Sequence, residues 1–167
     1  MPFVQFRNKN DLPPRFDDIK SPSKVIINDS LEVAEQFKAW GVHLGQEDLS
    51  RYPEKRILER RIKLGLSTHS DAEIKRALKF SPDYIAFGPI YPTTAKPMAF
   101  GPQGLERLRE VVLQVSVPVI AIGGLTEESL PEVLASGVCG AAMISGLANK
   151  SMAEISNMIS LCERFQS

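Results

Sequence analysis

Short unbroken apolar runs recur along the chain, and the stretches between them often place apolar residues three or four positions apart. Unbroken runs are typical of strands covered on both faces, and the wider spacing is typical of amphipathic helices. The predicted strands are residues 3–6, 25–27, 42–44, 62–66, 84–87, 118–122 and 138–144. This alternation predicts an α/β fold with a parallel sheet, and its short period favours a TIM-barrel, (βα)8-like architecture over a doubly wound sheet.

Capping signals predict where several of the helices begin. Asp29 and Glu32 have capping-box spacing and predict a helix that ends near Gly41, and Ser70 and Glu73 repeat that spacing. Further helices are predicted around Tyr52, Ile57 and Leu58, over residues 105–112, after a cap at Thr126, and over residues 152–164.

The length of 167 residues is enough for one domain with a sizeable core, and we predict a single domain over residues 1–167. Residues 10–23 contain Pro13, Pro14 and Pro22 and are predicted to form an irregular Pro-rich link. Seven strands are one short of a closed eight-stranded barrel, which would leave two unpaired edges. We therefore expect that the chain lacks the first βα unit or that a second subunit covers the gap as a homodimer.

Charge and hydropathy exclude several classes of partner. Lys and Arg together number 20, as do Asp and Glu, so the balance gives no reason to expect a nucleic acid or an anionic membrane as partner. The chain contains neither an apolar run long enough for a bilayer nor a signal-peptide apolar region, which predicts a cytoplasmic location. Cys139 and Cys162 have no metal-ligand spacing and are predicted to be buried thiols.

Polar residues follow every predicted strand. In a parallel barrel the carboxyl ends of the strands lie on one rim, so these clusters should converge there. They are Arg7/Lys9, Asn28/Asp29, Gln46/Asp48, Ser67/His69, Thr93/Thr94/Lys96, Gly123/Gly124 and Ser145/Gly146. Asp29 and Asp48 follow neighbouring strands and would suit a hard cation such as Mg²⁺ that also holds a substrate phosphate. Taken alone, Asp29 is more typical of a helix cap and Asp48 of an ordinary loop position.

Two other features of the rim have more than one interpretation. Gly123-Gly124 and Ser145-Gly146 follow the last two strands, as the phosphate site of many such barrels does, and are also compatible with ordinary tight turns. His43 lies within a strand and is predicted to be packed or hydrogen-bonded. His69 lies after a strand, where it could move protons.

Seven segments carry a resemblance to a known family. They are VQFRNK, VIIND, GVHLGQEDL, LGLSTHS, DYIAFGPIYPTTAK, PVIAIGGLTEESLPEVLASG and AAMISG. In this order they make the chain similar to thiamine-phosphate synthases from Val4 to about Ala148. The resemblance implies an enzyme that joins 4-amino-2-methyl-5-hydroxymethylpyrimidine pyrophosphate to thiazole phosphate, giving thiamine phosphate and pyrophosphate by a dissociative, Mg²⁺-assisted mechanism.

The resemblance also implies roles for individual residues. Catalytic contacts to the pyrophosphate fall on Arg7, Lys9, Lys96 and Ser67, and the Mg²⁺ ligands are Asp29 and Asp48. Substrate-binding contacts fall on Gln5 and Asn28 for the pyrimidine pyrophosphate, and on Thr93, Gly124, Ile144 and Ser145 for the thiazole phosphate. Two alternatives remain open: a related thiazole tautomerase that uses His69, and a non-catalytic ligand-binding protein of the thiamine pathway.

Overall fold

The computed structural model describes residues 3–7, 24–93 and 101–165. The chain forms two compact units, Met1–Asp83 and Tyr84–Ser167. Each compact unit is built from strands that are followed by helices, and the two are described separately. The prediction of a single domain remains a prediction.

The described residues of unit 1 form four parallel strands in chain order, each hydrogen-bonded to the next. Its elements are β1 (Phe3–Phe6), β2 (Lys24–Asn28), α1 (Leu31–Gln36), β3 (Gly41–Leu44), α2 (Gln46–Leu49), α3 (Glu54–Leu58), β4 (Lys63–Thr68) and α4 (Asp71–Leu78). All four residues of β3 are buried, as expected for a strand with neighbours on both sides and side chains packed on both faces. Its register places His43 opposite Asn28 on one side and Gly65 on the other.

In unit 2, residues 84–93 and 101–165 form three parallel strands, again in chain order. Its elements are β5 (Tyr84–Phe87), α5 (Gly104–Gln114), β6 (Val119–Ile122), α6 (Leu130–Leu134), β7 (Gly140–Ala142) and α7 (Met152–Arg164). Leu108 and Val111 of α5 are fully buried, and so are Ile85 and Ala121 of the strands. The apolar stripe of the helix thus packs against the sheet, which is what its spacing predicted.

The core of each unit consists of the predicted apolar positions. In unit 1 the buried aliphatic residues include Ile27, Leu31, Val42, Leu44, Leu64, Leu66 and Ala77. In unit 2 they include Ile85, Leu108, Val119, Leu130, Val133 and Met158, together with the aromatic Phe87. Among the described residues, no helix combines the length and the apolar character that crossing a bilayer requires.

Several helix predictions were wrong in detail because short local signals override the longer pattern. Helix α1 ends at Gln36, before a residue of positive φ at Lys38 (50°), and Gly41 already belongs to β3. The helix predicted around Tyr52 is two short helices, because Pro53 begins a new one. The remaining differences lie in unit 2: Ser129 rather than Thr126 is the N-cap of α6, and the last strand is limited to β7.

The prediction that both cysteines are buried was also wrong. Cys139 is exposed and Cys162 is half-buried. Cys139 directly precedes β7, a strand that is only partly buried along its length, so the apolar stretch around Cys139 is not a core strand. The burial of a residue in a short edge-like strand depends on what covers it, which the local sequence does not specify.

Candidate active site

The ends of β1 and β2 carry a chain of polar contacts. Gln5 donates from Nε2 to Asn28 Oδ1 at 2.6 Å, and Asn28 donates from Nδ2 to Asp29. Arg7 Nε lies 3.3 Å from the Oδ2 atom of Asp29. Parallel pairing of the two strands brings these four residues to the same end of the sheet. The predicted convergence of Arg7 with Asn28 and Asp29 is therefore present in unit 1, and Gln5 also contacts Asn28.

Asp29 does not cap helix α1, and the interpretation of it as a cap was wrong. The N-cap is Ser30, whose hydroxyl accepts from Val33 N at 3.3 Å. Asp29 instead has a φ of 71°, in the left-handed region that only a few per cent of non-glycine residues adopt. Its own N–H donates to the carbonyl of His43 at 2.9 Å, which ties it to β3. This geometry leaves the Asp29 carboxylate at the strand ends, in contact with Arg7 and Asn28.

Asp48 lies in the first turn of α2, directly after β3. Its Oδ2 atom accepts from Gly45 N at 3.0 Å, its Oδ1 atom pairs with Arg51 at 3.1 Å, and its side chain is only 13% exposed. Burial and then the nearby charge of Asp29 raise the pKa of Asp48, although the Gly45 N–H and Arg51 act in the opposite direction. The two carboxylates therefore lie close enough to repel each other.

A pair of carboxylates is a suitable start for a magnesium site. Mg²⁺ is commonly held by one or two carboxylates, with water molecules and substrate phosphates completing its coordination. Within the part of the chain that the structure describes, no cluster of three or more Asp, Glu, His or Cys side chains could form a cage made entirely of protein ligands. Asp29 and Asp48 together therefore fit a magnesium site that water and substrate phosphate complete, and not a cage made entirely of protein ligands.

Ser67 is held at the end of β4 by two residues from β3 and α2. His43 Nε2 lies 2.8 Å from Ser67 Oγ, and Gln46 donates from Nε2 to the Ser67 carbonyl at 2.7 Å. Burial lowers the pKa of His43 to about 4, against the opposing effect of Asp29 and with the help of Arg7. The imidazole is therefore neutral near pH 7, and the prediction of a packed, hydrogen-bonded His43 is confirmed.

His69 directly follows β4 and forms a pair with Glu73 of α4. The Oε2 atom of Glu73 accepts from His69 N at 2.7 Å and lies 2.8 Å from His69 Nδ1. Ser70 caps α4 as predicted and accepts from Glu73 N at 3.3 Å. A carboxylate on one ring nitrogen fixes the orientation of an imidazole, and that is the arrangement a proton-transferring histidine requires.

In unit 2 the loops after β5 and β6 pack against each other. Tyr91 N donates to the carbonyl of Gly123 at 3.1 Å. Gly123 and Gly124 both have positive φ, 86° and 71°. A Cβ atom at Gly124 would lie 2.6 Å from the carbonyl oxygens of Tyr91 and Pro92, so both its conformation and the close approach require glycine. The predicted glycine pair thus lies directly against the segment that leads to Thr93, which is half-buried.

The loop after β7 joins the same part of unit 2. A Cβ atom at Gly146 would lie 2.5 Å from the carbonyl oxygen of Leu125, the residue that follows Gly124. Ile144 is 74% exposed and Ser145 is also exposed, and turns follow in which Leu147 N donates to Ile144 O and Ala148 N to Ser145 O. The predicted thiazole-phosphate residues of this unit therefore lie on adjacent loops. Lys9, Thr94 and Lys96 lie outside the described residues.

Comparison with known proteins identifies the family. The sequence model described as "Thiamine monophosphate synthase" matches residues 19–147. The chain belongs to the thiamine monophosphate synthase family. The resemblance found in the sequence is thereby confirmed.

Individual relatives give the extent of the similarity. The thiamine-phosphate synthase of Proteus mirabilis is 43% identical over 133 residues, which are 79% of this chain and 62% of that protein. The thiamine-phosphate synthase of Neisseria meningitidis serogroup B is also 43% identical, over 87% of this chain and 69% of its own length. This member of the thiamine monophosphate synthase family thus spans about three fifths to two thirds of these relatives.

A solved structure confirms the fold class. The thiamine phosphate pyrophosphorylase of Pyrococcus furiosus superposes with a TM-score of 0.73 at 31% identity, covering 87% of this chain and 70% of that one. Together with the parallel, consecutive order of the strands within each unit, this match confirms the predicted parallel α/β fold of the TIM-barrel type.

Two supporting residues of this family member were not recognised in the sequence as part of the site. Arg76 of α4 donates to Gln46 Oε1 at 3.3 Å and to Ser50 Oγ at 2.9 Å, and so helps to hold the side chain that fixes Ser67. In unit 2, Tyr91 donates its hydroxyl hydrogen to Glu132 of α6. Burial and that carboxylate raise the pKa of Tyr91 to about 12. No sequence signal identifies either residue, because each contact joins two elements far apart in the chain.

Proposed function

We propose that this chain joins a hydroxymethylpyrimidine pyrophosphate to a thiazole phosphate, forming thiamine phosphate and pyrophosphate. The proposal follows from the relatives, which are thiamine-phosphate synthases, and is carried by one observation: Asp29 and Asp48 follow the neighbouring parallel strands β2 and β3 at the same end of the sheet. Two like charges with restricted access to water are unfavourable unless a cation joins them. Arg7 beside Asp29 supplies the positive charge that a pyrophosphate group also requires.

Mg²⁺ would be held by Asp29 and Asp48, with the substrate pyrophosphate and water as its other ligands. When bound, Mg²⁺ would neutralise the negative charge that develops on the departing pyrophosphate. The oxygen donors present fit this ion, since Mg²⁺ prefers carboxylate oxygen to nitrogen or sulfur.

The reaction needs no nucleophilic side chain. The bond between the pyrimidine methylene carbon and the pyrophosphate oxygen breaks, and its electron pair leaves with the pyrophosphate. The thiazole nitrogen then donates its lone pair to the methylene cation, giving the thiazolium of the product. The protein binds, orients and stabilises charge, and such positioning and electrostatics supply most of the rate in comparable reactions.

Each unit is proposed to bind one substrate. In unit 1, Gln5, Asn28, Arg7 and Ser67 would contact the pyrimidine pyrophosphate, joined by Lys9. In unit 2, Thr93 and the backbone at Gly124, Ile144 and Ser145 would bind the thiazole phosphate. Lys96 keeps the proposed role in pyrophosphate binding that the family resemblance implies. The exposed turns after β7 and the paired loops at Gly124 support this assignment, because backbone N–H groups in such turns are good anion donors.

The direct test is to incubate the pure protein with both substrates and Mg²⁺ and to measure thiamine phosphate and pyrophosphate. Asp29→Ala and Asp48→Ala should each lower the rate by about 100-fold, since each removes a charge-stabilising ligand. Glu47→Gln is the matched control, because Glu47 is an exposed carboxylate in the same turn of α2 as Asp48. Absence of product from the unaltered chain, or unchanged rates in both Asp variants, would contradict the proposal.

The His69–Glu73 pair favours a second candidate, a thiazole phosphate tautomerase. That reaction moves a proton and needs no pyrophosphate site. It would proceed with the thiazole phosphate alone and without Mg²⁺, and His69→Asn would abolish it while leaving the affinity for the pyrimidine pyrophosphate unchanged. Conversion of one thiazole tautomer to the other, followed by NMR, separates the two candidates.

We also propose a cytoplasmic location and a homodimer. At one end of the described sheet of unit 1, β1 exposes Phe3 and Val4 at 51% and 41%. An exposed apolar edge strand is a natural pairing surface for a second copy. Light scattering that gives the mass of a monomer at working concentrations would exclude the dimer.

A further inference from the structure

His43 joins two parts of the unit 1 site. Its backbone carbonyl accepts from Asp29 N at 2.9 Å, and its ring nitrogen Nε2 lies 2.8 Å from Ser67 Oγ. The residue is only 7% exposed and belongs to β3, in register with Asn28 of β2 and Gly65 of β4. A single buried residue thus contacts one proposed metal ligand through its backbone and one proposed substrate contact through its side chain.

Ser67 is also fixed from a second direction. Gln46 donates to the Ser67 carbonyl at 2.7 Å, and Arg76 holds Gln46 in turn. With the backbone restrained in this way, the remaining freedom of Ser67 is the rotation of its hydroxyl group. A serine hydroxyl carries one hydrogen and two lone pairs, so its partner decides whether that hydrogen is free for a ligand.

The two neutral tautomers of His43 have opposite consequences for the site. If Nε2 lacked a hydrogen, it would accept from Ser67, and the serine would offer only lone pairs to a ligand. If Nε2 carries the hydrogen, it donates to Ser67 Oγ, and the Ser67 O–H is left to donate elsewhere. An anionic ligand requires a donor, so only the second tautomer makes Ser67 useful in an anion site.

We propose that His43 is a positioning residue that donates its Nε2–H to Ser67 Oγ and thereby sets the Ser67 hydroxyl as a hydrogen-bond donor to an anionic substrate group. This anion is the pyrophosphate if the proposed function holds, and on that point the inference rests on the proposed function. His43 itself does not touch the substrate. Its contribution is transmitted entirely through Ser67.

The tautomer is tested on the unaltered protein by ¹⁵N NMR of its histidine side chains, with His43→Gln used to assign the signals. The expected spectrum shows a neutral His43 with a protonated Nε2 and a bare Nδ1. A neutral ring protonated at Nδ1 instead would overturn the inference, whatever the activity of the protein.

The coupling to Ser67 is tested by a double-mutant cycle with inorganic pyrophosphate as the ligand, measured by calorimetry. His43→Leu should weaken pyrophosphate binding by about 10-fold, the effect of one lost polar contact. His43→Gln places an amide N–H near the position of Nε2 and should recover most of that affinity. In a Ser67→Ala background, His43→Leu should have no further effect, because the interaction that it supports is already gone.

Additive losses in the cycle, or equal losses in His43→Gln and His43→Leu, would indicate a merely structural role and would overturn the inference. If His43→Leu does not fold, the tautomer measured on the unaltered protein decides the question. Pyrophosphate binding with the expected cycle but no thiamine phosphate formation would overturn the proposed function and support the inference. Absence of pyrophosphate binding by the unaltered chain would overturn the inference itself.

Discussion

Removing one of the two site carboxylates should stabilise the metal-free protein. Asp48 is 13% exposed and Asp29 is 33% exposed, so neither carboxylate is fully hydrated. Partial burial and the Asp29 charge raise the pKa of Asp48. Asp48→Asn removes the repulsion and retains an oxygen that can accept from Gly45 N, so the start of α2 keeps its capping contact.

The size of the effect follows from Coulomb's law with a correction for solvent. Two unit charges about 4 to 6 Å apart interact by roughly 3 to 4 kcal/mol at an effective dielectric constant near 20. Arg7 and Arg51 each neutralise part of the charge of one carboxylate, and Asp29 is one third exposed to solvent. We therefore expect a repulsion of about 1 kcal/mol to remain between Asp29 and Asp48. For a chain of this length that corresponds to a rise in Tm of about 2 to 4 °C.

Magnesium should reverse the order of stability. At a Mg²⁺ concentration about ten times the dissociation constant, binding adds about 1.4 kcal/mol to the native state of the unaltered chain. Mg²⁺ should add little stability to Asp48→Asn, because one of the two ligands has lost its charge. Thermal and urea unfolding with EDTA and with Mg²⁺ measure both effects, and Glu47→Gln serves as the control for removing a negative charge from α2 without removing a ligand.

The same repulsion predicts how the stability of the metal-free chain depends on pH. Because the pKa of Asp48 is raised in the folded chain, the repulsion is absent below the unfolded-state value of about 3.9 and is fully present above the raised folded value. The metal-free chain should therefore lose stability, relative to Asp48→Asn, as the pH rises through this window. If Asp48→Asn is less stable than the unaltered chain in EDTA, the two carboxylates do not repel as argued. If Mg²⁺ stabilises both chains equally, Asp48 is not a ligand.

Three further results are expected. Gly124→Ala should destabilise unit 2 by about 1 to 3 kcal/mol in urea unfolding and weaken thiazole phosphate binding, because its Cβ would lie 2.6 Å from the carbonyl oxygen of Tyr91 at a positive φ. Burial alone would raise the pKa of Asp83, but hydrogen bonds to its carboxylate, including one from Lys63, lower that pKa. Asp83→Asn should therefore lower the free energy of unfolding by about 1 kcal/mol at neutral pH. This difference vanishes as the pH falls below the pKa of Asp83 in the folded chain. Arg7→Gln should raise the KM for the pyrimidine pyrophosphate about 10-fold in steady-state kinetics and leave the KM for the thiazole phosphate unchanged.

The strands and most helices could be predicted because the apolar pattern directly reflects burial. Every predicted strand is present, and the polar residues at the ends of β1 and β2 contact one another as the parallel pairing of these strands implies. The limits of the prediction appear where two local signals compete within one residue of each other. Asp29 and Ser30 are both good caps, and only the backbone geometry identifies Ser30 as the residue that accepts from Val33 N.

Contacts between side chains on different elements could not be predicted. The bond between His43 and Ser67 depends on the register of β3 and β4, in which Leu44 lies opposite Leu66. A shift of that register by one residue would turn the side chains of one strand to the other face. The sequence predicts that His43 is a strand residue whose ring requires a hydrogen-bond partner, and the strand register determines which residue that partner is.

Energetic grounds favour the proposed metal-ligand role of Asp29 over a role as a helix cap. A capping aspartate would stabilise its helix and would adopt the extended backbone that Ser30 shows instead. Asp29 has a φ of 71°, and its negative charge contributes to raising the pKa of the partly buried Asp48, and both features lower the stability of the metal-free chain. Folding alone gives no reason to combine two such costs at the ends of neighbouring strands. A bound cation removes the electrostatic cost, so the strain at Asp29 and the burial of Asp48 support the same magnesium site.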